Sequence, residues 1–201
     1  MWIVLLVGLV AIGMIIRKNL AKMNHEEQLK FDQYGVDAQE LISERKSIIE
    51  LSTAKNPNRK YKVADKKTIN SVGMFARPEA VNSFIHDAYR AGLLNGYEKD
   101  GVDVAGFHDA PIPVVNLVPV SHNPKDKNAV EIHVGINENL MYHIGHVPRE
   151  QCLEVRKFLG DVAENQILVL NPILTFLRGA GKYEYEHGVR VYILLFDQLD
   201  D

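Results

Sequence analysis

Hydrophobic positions run unbroken by charge from Met1 to Ile16, and Arg17, Lys18 and Lys22 follow at once. At about 1.5 Å rise per residue, this run reaches roughly 24 Å as a helix, and extension through Leu20 and Ala21 with snorkelling lysines lengthens it. The positive charge comes after the apolar run, and no small-x-small cleavage site follows, so the pattern predicts an uncleaved anchor over residues 1–21 in contact with the lipid bilayer. The positive-inside rule then expects a single-pass cell-membrane protein with residues 17–201 in the cytoplasm.

Beyond the anchor the pattern turns polar and helical. Val36, Ala38, Leu41, Ile42, Ile48 and Ile49 form a partial apolar stripe, which reads as a stalk helix. Residues 55–67 hold Lys55, Arg59, Lys60, Lys62, Lys66 and Lys67 against the lone acid Asp65. That composition reads as a solvated basic linker that could touch anionic lipid headgroups or nucleic acid. From Pro78 to Leu94 the period is helical: Val81, Phe84, Ile85, Ala88, Tyr89 and Gly92 share a face, and Asn95-Gly96 is the expected stop.

After Val102 the period becomes that of strands. Val102–Phe107, Val114–Val120, Ala129–Val134 and Tyr142–Val147 are short and rich in Val and Ile. A helix is expected from Arg149 to Leu159, stopped by Gly160. A hairpin of Ile167–Leu177 and Val189–Phe196 follows, punctuated by Gly179, Gly181 and Gly188. The predicted class is α+β: one transmembrane helix, a helical stalk, then a small, mostly-β barrel-like domain with one packed helix. The expected divisions are residues 1–21 (anchor), 22–70 (stalk helix and basic linker), 71–100 (helical extension) and 101–201 (β-domain).

Charge and composition narrow the chemistry. The net charge of −3 divides into +4 over residues 1–70 and −7 over residues 71–201, so broad, non-specific binding of a phosphate backbone is disfavoured while a local site is not. The single cysteine, Cys152, excludes an internal disulfide framework. Cys152 lies near a helix start and close in sequence to His146, but a lone cysteine there reads as a packed small residue. The eight histidines are scattered and lack zinc-ligand spacing, so no metal site or cofactor is expected. No phosphate-cradling G-x-x-x-x-G-K-[ST] loop occurs and no nucleophile–base pair is visible, which points to binding and away from catalysis.

Two segments carry a more specific pattern. Leu117–Val130 reads strand, dense turn (Asn123-Pro-Lys-Asp-Lys-Asn128), strand; Ile144-Gly-His-Val-Pro-Arg-Glu150 reads strand into helix start. Asn123-Pro124 sets a turn, Asp126 and Asn128 can hold it through backbone N–H groups, and Gly145 permits close backbone approach. Together these segments resemble the HIRAN domain family, over about residues 100–197, and Val104–Phe107 is similar to that family's first strand. In its DNA-binding members the domain accompanies a remodelling ATPase and captures the 3′ end of single-stranded DNA. An aspartate of the turn meets the terminal hydroxyl, and aromatic rings stack on the last bases. The resemblance implies a nucleic-acid-binding set of Asn123, Lys125, Asp126, Lys127, Asn128, His146 and Arg149, with Phe107 and His108 near the stacking positions. Lys125 and His108 stand where those members often carry aromatic rings, which exchanges stacking for charge.

Two functions follow from the sequence. One is a membrane-anchored, cytoplasm-facing nucleic-acid-binding module for single-stranded DNA ends. The other is a protein-interaction or scaffold module that keeps the fold without binding DNA. A positive patch around residues 123–128 favours the first; an acidic or apolar surface there favours the second.

Overall fold

The structure, a computed structural model, describes residues 2–52, 60–94, 110–177 and 186–199. Two of its interior strands are β4 (Val130–Asn137) and β7 (Glu186–Gln198), one in each of two antiparallel sheets. In β4, the alternate residues Val130, Ile132, Val134 and Ile136 are all fully buried, as a strand with one face on the core requires. This strand pairs with β3 (Val114–Pro119) and β5 (Leu140–His146). The second sheet has the order β1 (Tyr61–Asn70), β7, β6 (Gln166–Leu177), β2 (Ala110–Pro111). Its first strand in the chain thus lies beside its last, with Ile69 opposite Val191, while Leu170 of β6 faces Ile193.

Among the described residues three α-helices accompany the sheets: α1 (Trp2–Leu51), α2 (Pro78–Arg90) and α3 (Cys152–Gly160). In α2, Pro78 fixes the first turn, and Glu79 and Arg90 complement the two ends of the dipole. Val81, Phe84, Ile85 and Ala88 are buried against β4 and β5. The helix ends earlier than Asn95-Gly96. Gly92 takes φ 69°, and the N–H groups of Gly92 and Leu93 return to the carbonyls of Tyr89 and Ala88. This left-handed cap satisfies two terminal carbonyls at once and seats Leu93 in the core. A hydrogen bond from the Tyr142 hydroxyl to Asp87 ties α2 to β5.

The transmembrane helix in the expected fold is corrected: among the described residues, no helix is long and apolar enough to cross a membrane. Residues 2–51 form one continuous helix, and its later part is built into the domain. Phe31 and Ala38 are buried, and the Arg90 guanidinium sits 4.0 Å above the Phe31 ring while pairing with Glu27. Arg45, half-buried, donates from Nη1 to the Ile112 carbonyl at 2.9 Å and from Nη2 to that of Pro113. Burial lowers its pKa from the ordinary guanidinium range.

The expected barrel with one packed helix is likewise replaced by two separate sheets meeting where β3 approaches β6, with helices packed on the β3–β4–β5 sheet. Part of the segment read as basic linker is β1, an edge strand whose Lys62 and Lys66 are exposed; Lys67, better covered, pairs with Glu154 of α3. Lysines along an edge discourage pairing with another chain, which is why the strand looks like a linker in sequence. Residues 71–94 share the core with the β-rich part: Phe84, Ile132 and Val191 belong to one buried cluster. The strand expected at Val102–Phe107, the residues Lys55, Arg59, Phe107 and His108, and the turn around Gly179 and Gly181 lie outside the described residues.

Gly145 confirms a close approach. A Cβ there would lie 2.7 Å from the carbonyl oxygen of Val72 and 3.3 Å from Met74 Cγ. Val72 bridges to His146 through two backbone hydrogen bonds of 2.9 Å. Gly145→Ala is therefore expected to push this segment off β5 and to cost about 1–3 kcal/mol. Urea denaturation measures it, and a loss of only a few tenths would remove the close approach as a constraint.

Candidate functional site

The turn between β3 and β4 is locked by its own side chains. Asn123 Oδ1 accepts the N–H groups of Lys125 at 2.9 Å and Asp126 at 3.2 Å. Asp126 Oδ1 accepts the N–H of Asn128 at 2.9 Å, and the Asp126 carbonyl accepts that of Ala129 at 3.0 Å. Each bond removes a donor from competition with water and narrows the backbone to one shape. Among the described residues no donor is bonded to Asp126 Oδ2. Lys125 and Lys127 are exposed, while Asp126 and Asn128 are half-buried.

The start of α3 lies beside this turn. Val147 N–H bonds the Val130 carbonyl at 2.9 Å, which brings Pro148 and the exposed Arg149 to the end of the turn. From within α3, Arg156 Nη1 approaches the carbonyls of Lys127 and Ala129, both at 3.5 Å. Cys152 is buried, with its thiol directed to the carbonyls of Val147 and Pro148 at 3.5 and 3.4 Å. Burial pushes this thiol's pKa up, which disfavours the thiolate. The structure thus gathers Asn123, Lys125, Asp126, Lys127, Asn128 and Arg149 at one end of the β3–β4–β5 sheet.

His146 belongs elsewhere. Its ring stands edge-on to His143 at 5.0 Å, and the His143 ring stacks on His133 at 4.7 Å with an interplanar angle of 9°. Glu131 completes the group: Oε2 lies 2.9 Å from His133 Nε2 and 3.5 Å from His143 Nδ1. His133 and Glu131 are two apart on β4 and share a face by strand alternation. His143 and His146 are three apart and should not share one. A register shift reconciles them: Ile132 faces Gly145 and His133 faces His143, so Ile144 is an extra residue in β5. This bulge brings both histidines onto the Glu131 face. The grouping was missed in sequence because a spacing of three in a strand signals opposite faces.

The cluster's electrostatics follow from its cover. Burial, then the nearby Arg77 guanidinium, lower the pKa of His143 to about 4 and that of His146 in the same direction. Burial alone would raise that of Glu131, but the hydrogen bond from His133 and the neighbouring imidazoles outweigh it and hold the carboxyl low. Glu131, His133 and His143 present ligand atoms all within 4.8 Å of one another, an arrangement able to hold a metal ion. No protein family, curated protein or solved structure was found to match this chain.

A histidine kept neutral by folding makes stability pH-dependent. Unfolded His143 takes a proton below about pH 6.5, whereas the folded residue refuses it until about pH 4. Stability is therefore expected to fall as pH drops between these values, in protein stripped of metal, and His143→Gln should flatten the decline. Chemical denaturation at stepped pH measures this, and an unchanged slope in the variant would assign the loss to other groups.

Proposed function

We propose that this chain is a non-catalytic binding module for the end of a nucleic-acid strand, engaged by the turn 123–128 and the start of α3. The observation that carries the reading is the locked turn itself, which presents exposed Lys125 and Lys127 on a backbone already fixed by Asn123 and Asp126. Arg149 and Arg156 add positive charge beside it, in a part of the chain that is otherwise acidic. A preformed basic turn binds phosphate without the entropy cost of ordering a loop. Asp126 Oδ2 is the acceptor for a terminal hydroxyl, since a carboxylate accepts from an O–H donor. His146 and the histidine cluster take no part in this contact.

Fluorescence anisotropy of the full chain with short single-stranded DNA, bearing a free or blocked 3′ hydroxyl, tests the reading. The free end is expected to bind more tightly. Asp126→Asn keeps the turn's Oδ1 acceptor and should abolish that preference. Lys125→Glu with Lys127→Glu should weaken every strand alike and reduce the salt dependence by roughly 0.7 in log–log slope per lost phosphate contact. No binding at low salt, or binding indifferent to both substitutions, overturns the proposal in favour of a protein-interaction module.

A further inference from the structure

A separate site is carried by the face of β4 and β5 that bears Glu131, close to the turn in the sheet but built from other side chains, and it does not depend on nucleic-acid binding. We propose that Glu131, His133 and His143 hold one divalent transition-metal ion, of the borderline class that includes zinc, with a coordination position left open to solvent.

The donor set is two imidazoles and one carboxylate, which suits zinc and its neighbours better than magnesium or calcium. The spacing fits. Two ligand atoms bound at 2.0–2.1 Å around a tetrahedral ion stand roughly 3.3 Å apart. Glu131 Oε2 is already 2.9 Å from His133 Nε2 and 3.5 Å from His143 Nδ1, so both carboxylate–imidazole pairs stand near that spacing before any ion arrives.

The tautomer of His143 supplies the second argument. Its Nε2 lies 3.1 Å from the Gly145 carbonyl, which can only accept, so Nε2 carries the proton. In the neutral ring, Nδ1 then presents a lone pair toward the Glu131 carboxylate. Two acceptors facing each other at 3.5 Å repel unless something positive lies between them. A metal ion satisfies both, and the Gly145 carbonyl is the outer partner that metal-bound histidines characteristically have. Gly145 belongs to the bulged segment of β5, so the irregularity that brings His143 to this face also fixes its orientation.

Access and charge are consistent with the site. The three side chains remain 21–27% exposed, enough for an ion to enter and for solvent to complete its shell. His133 and His143 are stacked nearly parallel, so binding rotates one ring out of the stack, and His133 Nε2, which donates to Glu131 in the metal-free protein, releases its proton or passes it to Nδ1 as it ligates. Arg77, just ahead of α2, opposes the ion with one positive charge near His143 and His146. Glu131 offsets it.

Zinc titration of the chelator-stripped full chain, by calorimetry and by competition with a chromophoric chelator, tests the proposal. One ion per chain is expected. His143→Gln and Glu131→Gln should each weaken binding at least tenfold, while His122→Gln, a surface control, should not. Arg77→Gln should tighten binding severalfold, the reverse of what an anion site would do. Cobalt in place of zinc should show the d–d absorption of a four- or five-coordinate ion, and zinc should shift the imidazole proton resonances of His133 and His143. If His143→Gln fails to fold, Arg77→Gln and the resonance shifts decide the matter. Absence of saturable zinc uptake, affinity unchanged in the folded cluster variants, or weaker binding in Arg77→Gln overturns it.

Discussion

Alternation along β4 is the constraint on which both the core and the clustered side chains depend. Val130, Ile132, Val134 and Ile136 are fully buried, and the three helices pack on this sheet. With those four turned inward, Glu131 and His133 must lie on the opposite face. A slip of one residue would bury a carboxylate and an imidazole and expose four apolar side chains. The hydrophobic effect, which has no interest in chemistry, therefore fixes the position of the polar cluster more firmly than any hydrogen bond within it.

The same division explains what could be read from the sequence. The strands at 114–119, 130–137 and 140–146, the hairpin of 166–177 and 186–198, and the helices at 78–90 and 152–160 all announce themselves by the period of their apolar residues. The turn at 123–128 was legible because Asn, Pro and Asp act locally, through bonds to neighbouring N–H groups. What escaped depends on distant partners. β1 reads as a charged linker because only Ile69 in it is fully buried, and its pairing with β7 lies more than a hundred residues away. The histidines look scattered because a single extra residue, Ile144, changes the face on which His143 falls.

Polar ties between elements complete the arrangement. Arg45 holds the corner at Ile112 and Pro113 to α1, and Tyr142 and Asp87 join β5 to α2. Burial raises the pKa of the Tyr142 phenol, with its hydrogen bond to Asp87 and that residue's charge acting in the same direction. Each tie satisfies groups that would otherwise be buried without a partner, so each specifies a relative placement as well as contributing stability. They are few, they are long-range, and they join helices to sheet where apolar packing alone would tolerate sliding.

The placement of β7 between β1 and β6 has a consequence for synthesis. On the ribosome, β1 emerges early and must wait for residues 186–198 before it has a neighbour. Until then its backbone and one edge of β6 are open to any other extended chain. Pairings over such sequence distances form slowly, so the nascent chain spends a comparatively long time with its sheet incomplete. A message interrupted before β7 would release a polypeptide with α1, α2, α3 and a finished three-stranded sheet, yet with the other sheet unable to close.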